Sequence, residues 1–132
     1  MSKIINFEFN GKNNEIELDD SIKDEMLEKV ENCLLLMNNI ELFDYLYMSS
    51  KEMFEYINDD PYFNGKTIKS GEDLKNSIEE IKLIAYKDNT YYICGEYWCD
   101  DEHGFSISFP DGNFIKENSS NSTFLGNFDD YL

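Results

Sequence analysis

The run from Tyr91 to Gly112 constrains the fold more than any other part of the chain. Tyr91, Ile93, Gly95 and Tyr97 alternate with Tyr92, Cys94, Glu96 and Trp98, the period of two that a strand imposes. Phe105, Ile107 and Phe109 repeat that alternation, with Ser106 and Ser108 expected to face water between them. Asp100-Asp101-Glu102-His103-Gly104 separates the two runs and reads as an acidic turn, and Pro110-Asp111-Gly112-Asn113 reads as a second turn. The pattern predicts two antiparallel strands joined by an acidic turn. Gly95 inside a strand predicts a bulge or the close approach of a neighbouring backbone.

The remaining chain supplies what such a hairpin packs against. Ile5, Phe7 and Phe9 alternate with polar residues, Gly11 to Asn14 has turn composition, and Ile16 and Leu18 resume the alternation. Asp19, Asp20 and Ser21 are competent helix caps. Ile22, Met26, Val30, Cys33 and Met37 then recur in steps of three and four, one face of a helix. Asn38-Asn39 breaks it, and Ile40, Phe43, Tyr47, Ser50, Phe54 and Ile57 predict a second helix that ends at Asn58 to Pro61. A short helix from Glu72 with Ser70 as cap, a strand over 81–86 and a turn over 87–90 lead into the central run. Phe114 to Lys116 is expected to begin another strand, and Phe124, Leu125, Phe128 and Tyr131 to dock the C-terminus. At 132 residues the expectation is a single α+β domain over 1–132, large enough for a core without staples. It comprises an antiparallel sheet of about five to six strands with two main helices packed on one face. A polar, mobile segment is expected over 117–123.

Charge narrows the choice of partner. Asp and Glu total 28 against eleven Lys and no Arg, a formal charge of −17. Such a surface repels phosphate backbones and anionic membranes, which excludes nucleic acid and membrane as partners, and it attracts cations and basic proteins. Acidity for solubility alone is the plain alternative. Cys33, Cys94 and Cys99 are odd in number and lack CxxC spacing, the usage of reduced thiols in the cytoplasm. No leader-like apolar run opens the chain, and no window approaches the roughly 20 apolar residues of a membrane span.

Motifs that dictate a reaction are missing. Asp100, Asp101, Glu102 and His103 resemble metal ligands in type, but four consecutive residues on a turn cannot converge on one ion. No HExxH or Asp-x-Asp-x-Asp-Gly loop supplies further ligands, and no glycine-rich phosphate loop is present, so neither metal nor cofactor is expected. His103 has the intrinsic pKa of an acid–base catalyst, yet Glu102 beside it points to the opposite side of a strand. With Gly104 it reads as a structural turn. Cys94 and Cys99 lie in acidic surroundings that suppress a thiolate. What remains is a pair of acidic clusters carrying aromatics, one at Asp59, Asp60 and Tyr62, the other at Trp98, Asp100, Asp101 and Glu102. Their carboxylates suit Lys and Arg of a partner, with Tyr62 and Trp98 as apolar anchors. A merely solvated loop is the alternative for each.

The segment from Asp73 to Lys116, about a third of the chain, resembles a group of small bacterial domains. Their pattern is a strand ending in an aromatic residue, an acidic turn Asp-x-Glu-His-Gly, a short strand and an Asp/Asn-Gly turn. Here these are Trp98, Asp100 to Gly104, Phe105 to Phe109, and Asp111-Gly112. One departure is that Trp98 lies four residues before Glu102 and Cys99 occupies the usual Trp position. Such domains occur among immunity proteins of polymorphic toxin systems. The resemblance implies a cytoplasmic, non-enzymatic protein that binds a basic toxin domain stoichiometrically and occludes its site. Rival readings are an acidic regulatory or DNA-mimic protein, and a metal-assisted hydrolase centred on His103.

Overall fold

A computed structural model describes residues 3–59, 67–98, 100–114 and 122–125, with backbone alone over 100–103. Strands β1 (Lys3–Phe9) and β2 (Lys12–Leu18) form the first hairpin. Its turn is Asn10-Gly11, not the expected Gly11 to Asn14, and both residues take positive φ, 53° and 76°. Asn and Gly tolerate that region, and a two-residue turn of this hand matches the twist of the strands it joins.

The helical layer follows: α1 (Leu27–Leu36), α2 (Ile40–Ser49), α3 (Lys51–Asp59) and α4 (Gly71–Ser77). A 3-10 turn over Asp24–Met26 leads into α1. Among the described residues α1, α2 and α3 therefore stand where two main helices were expected, and α4 is the short helix expected with Ser70 as its cap. The long second run is broken at Ser50, whose φ of −116° and ψ of 22° leave the helical region. The break is hidden in the sequence because the apolar stripe continues across it, and Phe54 stacks on Tyr47 at 5.7 Å between the two helices. Asp19, Asp20 and Ser21 do not cap α1: its cap position is Met26, with no side-chain cap bond, and the Ser21 hydroxyl accepts from the Tyr86 N–H at 2.9 Å instead. The caps of α2 and α4 do fall where the residue types place them. Asn39 accepts from the Glu41 N–H at 3.0 Å, and Ser70 accepts from the Asp73 N–H at 3.1 Å.

Strands β3 (Ile78–Lys87), β4 (Thr90–Tyr97), β5 (Asp100–Pro110) and the short β6 (Phe124–Leu125) complete a six-stranded sheet in the order β1-β2-β3-β4-β5-β6. It is mixed, not purely antiparallel. β2 pairs with β3 in parallel through Glu17–Leu83 and Leu18–Ile84, because the helices between them carry the chain back to the end where β2 began. Leu18, Ile84, Ile93, Ile107 and Phe124 are successive partners across β2 to β6, and each is buried. That row is the spine of the core. Phe43 of α2 meets Phe9 of β1 at 6.4 Å, and Phe54 of α3 meets Phe124 at 5.5 Å.

Three local expectations change. The acidic run is not a turn: β5 begins at Asp100, so His103 and Gly104 lie within the strand. Gly104 keeps a special backbone there, with φ of 70°, next to a register shift in which Gly95 pairs with Phe105 while Tyr97 pairs with Asp100. Ser106 and Ser108 are buried, not solvated. Thr123 closes over Ser108, donating its N–H to the Ser108 hydroxyl and accepting from the Ser108 N–H, each at 2.9 Å. Phe114 is not in a strand, and residues 115–121 lie outside the described residues. Phe124 docks as expected, and Phe128 and Tyr131 lie outside the described residues.

Gly95 answers its own expectation. A Cβ at this position would lie 1.9 Å from the Glu80 carbonyl oxygen, inside the irregular stretch where β3 shifts register against β4. Only glycine lets the two backbones come this close.

Candidate partner-binding site

The residues expected to bind a partner are only partly placed. Asp59 is exposed at the end of α3. Asp60 and Tyr62 lie outside the described residues. Asn58 pins the chain on both sides of that segment, donating to the Ile68 carbonyl and accepting from the Ile68 N–H, each at 2.7 Å. Trp98 is half-buried just beyond β4, and its N–H donates to the Ser77 carbonyl at 2.9 Å, which ties this strand end to α4. For Asp100, Asp101, Glu102 and His103 the backbone lies in β5 and the side chains are outside the described residues.

A second acidic surface lies at the other end of the sheet. β4 and β5 pair from Thr90–Pro110 to Tyr97–Asp100, so the turns at 88–89 and 111–112 sit opposite the Asp100 end. The Asp111 N–H donates to the Asn89 carbonyl at 2.8 Å and links the two turns. Helix α1 is fastened to them. Asn32 Nδ2 donates to the Gly112 carbonyl at 2.7 Å, and Lys29 Nζ donates to the Asp111 carbonyl at 3.0 Å and forms an ion pair with its carboxylate. That hydrogen bond to Asp111 raises the Lys29 pKa.

Between α1 and the turns runs an open cleft of about 720 Å³. One wall carries Glu25, Glu28 and Glu31, spaced three apart and exposed. The other is aromatic: Tyr86 and Tyr91 meet edge-on with centroids 5.0 Å apart. Burial raises the Tyr91 pKa, so its hydroxyl stays protonated at neutral pH. Leu35 stands at the lip, 60% exposed. The Glu spacing is visible in the sequence. Its position facing Tyr86 and Tyr91 is not, because the pairing of helix and turns is a tertiary fact.

Among the described residues no group of three or more His, Cys, Asp or Glu side chains is arranged to hold a metal ion. The Cys33 thiol is fully buried and pushed up to about 12 by burial, far from the range of a nucleophile at neutral pH. Among them, too, no helix is long and apolar enough to cross a membrane. No family model, curated protein or solved structure matches the chain.

Proposed function

We propose that the chain is an immunity protein of a polymorphic toxin system, a cytoplasmic, non-enzymatic inhibitor that binds a basic toxin domain one to one. The observation that carries this reading is the display of uncompensated negative charge. Glu25, Glu28 and Glu31 on α1, Glu41 on α2, and Glu52 and Glu55 on α3 are all exposed. None of these carboxylates is in an ion pair among the described residues. Concentrating like charge raises self-repulsion in the folded state, a cost that a cationic partner relieves. The Glu102-His103-Gly104 likeness to immunity domains points the same way. Inhibition would proceed by occlusion, with carboxylates such as Asp59, Asp100, Asp101 and Glu102 engaging the Lys and Arg that the toxin uses on its own substrate.

The test is capture from the native cell extract with the tagged chain at low salt, followed by a growth assay on what is captured. The expected result is a basic protein released at high salt, which arrests growth when expressed alone and is silenced by co-expression of this chain. Capture of no basic protein, or a captured protein whose toxicity the chain leaves intact, overturns the proposal.

A further inference from the structure

We infer that the outer edge of β1 is a docking strand for a basic protein partner, which adds an extended segment of alternating apolar and cationic residues to the sheet. This rests on the immunity reading and deepens it. It supplies a main-chain interface at the edge of the sheet opposite β6.

Backbone hydrogen bonding marks the edge. Among the described residues β2 is the one strand beside β1. Phe9 and Lys12 flank the two-residue turn as a bonded pair, so Phe7, Ile5 and Lys3 also bond inward to β2. Ile4, Asn6 and Glu8 therefore direct their N–H and C=O groups outward, where no described residue meets them. Such edges are ordinarily blunted by a proline, a bulge, a lysine or a covering segment. β1 has no proline, and its register against β2 runs unshifted from Lys3 to Phe9. Its one Lys is held by Asp24, and Ile4 stands 63% exposed.

The two faces of the edge define the guest. On the helical side a groove of about 370 Å³ runs between Ile5 and Phe7 of β1 and Leu27, Leu34 and Leu35 of α1. Ile5 and Phe7 point to the core side yet are only half-buried, and Leu35 is 60% exposed. Every second side chain of an added strand falls over this groove, so apolar residues belong there. The alternate set falls on the open face beside Glu8, with Glu15 on the next strand. Both are exposed, and neither is in an ion pair among the described residues. Lys3 and Lys12, the cations of this hairpin, lie on the helical side by the same alternation. Lys or Arg of a partner strand would pair with Glu8 across the new ladder. A second copy of this chain fits worse, since each carries −17 and no Arg.

Amide hydrogen exchange and a nitrogen-15 NMR titration with a capped peptide alternating Lys and Val test the inference without needing the toxin. In the free chain the Ile4, Asn6 and Glu8 amides should exchange quickly, while those of Ile5 and Phe7 are protected. The peptide should shift residues 4–8 and 27–35 saturably and slow exchange of the outward amides by about tenfold or more. A peptide of the same composition, with its Lys and Val in separate blocks, should bind about tenfold more weakly. Asn6→Pro removes an outward N–H and leaves the pairing with β2 intact, and should weaken the alternating peptide by about tenfold or more. Leu35→Gln and Glu8→Lys, at exposed positions, should each weaken it about threefold to tenfold, and Glu52→Lys on α3 about twofold or less. Outward amides already protected in the free chain, a dimer joined through β1, equal binding of the two peptides, or full binding in both Leu35→Gln and Glu8→Lys would each overturn the docking edge. The two proposals fail separately. A chain that silences a toxin while these amides still exchange quickly in the complex keeps its immunity role and loses the docking edge. A chain that takes up the peptide as a strand but silences nothing does the reverse.

Discussion

Asn14 Oδ1 accepts the backbone N–H of Ile81 at 2.9 Å, so a side chain continues the link between β2 and β3 beyond the point where their parallel ladder stops. Asn14 is 2% exposed and spends its amide as well, donating to the carbonyls of Lys12 at 3.0 Å and Phe7 at 3.3 Å. Replacing it by Ala strands the buried Ile81 N–H. Asn14→Ala is expected to lower unfolding free energy by about 2–3 kcal/mol, read from urea denaturation. A change within experimental error would mean that water replaces the amide at no cost.

Gly95 predicts a larger loss from a smaller change. With the Glu80 oxygen 1.9 Å from where a Cβ would sit, Gly95→Ala must push β3 and β4 apart at their irregular register. The expected cost is about 3 kcal/mol or more, beyond the usual loss for overpacking. Thermal unfolding of the variant checks it, and an unchanged midpoint would show that the strands separate freely.

Ser106 runs the opposite way. It is fully buried on β5 and its hydroxyl oxygen has no hydrogen-bond partner among the described residues. Ser106→Ala removes an uncompensated polar group from the interior. It should be neutral or stabilising by about 1 kcal/mol, in contrast to most core truncations. Clear destabilisation in the same urea assay would show that the hydroxyl is solvated or bonded in solution.

Cys33 gives the alkaline limb of the stability profile. Its thiol is pushed up to about 12 from an ordinary value of 9.0 by burial, so the neutral form is the one the fold favours. The contribution is fully present below pH 9 and is lost as pH climbs from 9 toward 12, where the unfolded chain ionises first. Over that window this group accounts for a loss on the order of 3–4 kcal/mol. A Cys33→Ala variant should decline less steeply than the parent between pH 8 and roughly pH 10.5. Parallel declines would exclude the thiol as the cause.

Asp100 and Asp101 lie at the start of β5. Reversing both to Lys should slow association with the captured toxin by about tenfold at low salt, and far less at high salt, where screening removes the steering. Stopped-flow or biosensor kinetics at two ionic strengths give the answer. Unchanged association rates would remove this end of the sheet from the encounter surface.

Much of the fold is legible in the sequence where a local pattern and a local structure share one cause. Ile5-Phe7-Phe9 and Tyr91-Ile93 show the strand period, and Asn39 and Ser70 sit at helix starts because their side chains can accept the free N–H groups there. Gly95 announces a close approach. What fails needs knowledge of a distant partner. Ser106 and Ser108 alternate like solvent-facing residues, and only the Thr123-Phe124 segment pairing beside them shows that they are covered. The parallel join of β2 to β3 depends on where four helices return the chain. In the turn between β1 and β2, Asn10 has the pattern of the last polar residue of a strand, whereas its positive φ makes it half of the turn. For the site, the acidic and aromatic residue types are legible, while the convergence of Glu28, Glu31 and Tyr91 on one cleft is not.

The parallel join of β2 to β3 also sets an order of events during synthesis. The β1–β2 hairpin leaves the ribosome ahead of its partner strand, which emerges only after α1 to α4 have been made. Until then Ile16 and Leu18 have no neighbouring strand on that side, and the Asn14 amide has no Ile81 to receive. β4, β5 and β6 then add as neighbours in sequence order. From the completion of β2 at Leu18 until β3 begins at Ile78 the nascent chain therefore carries an open strand edge on β2, the kind of edge onto which a second chain can add.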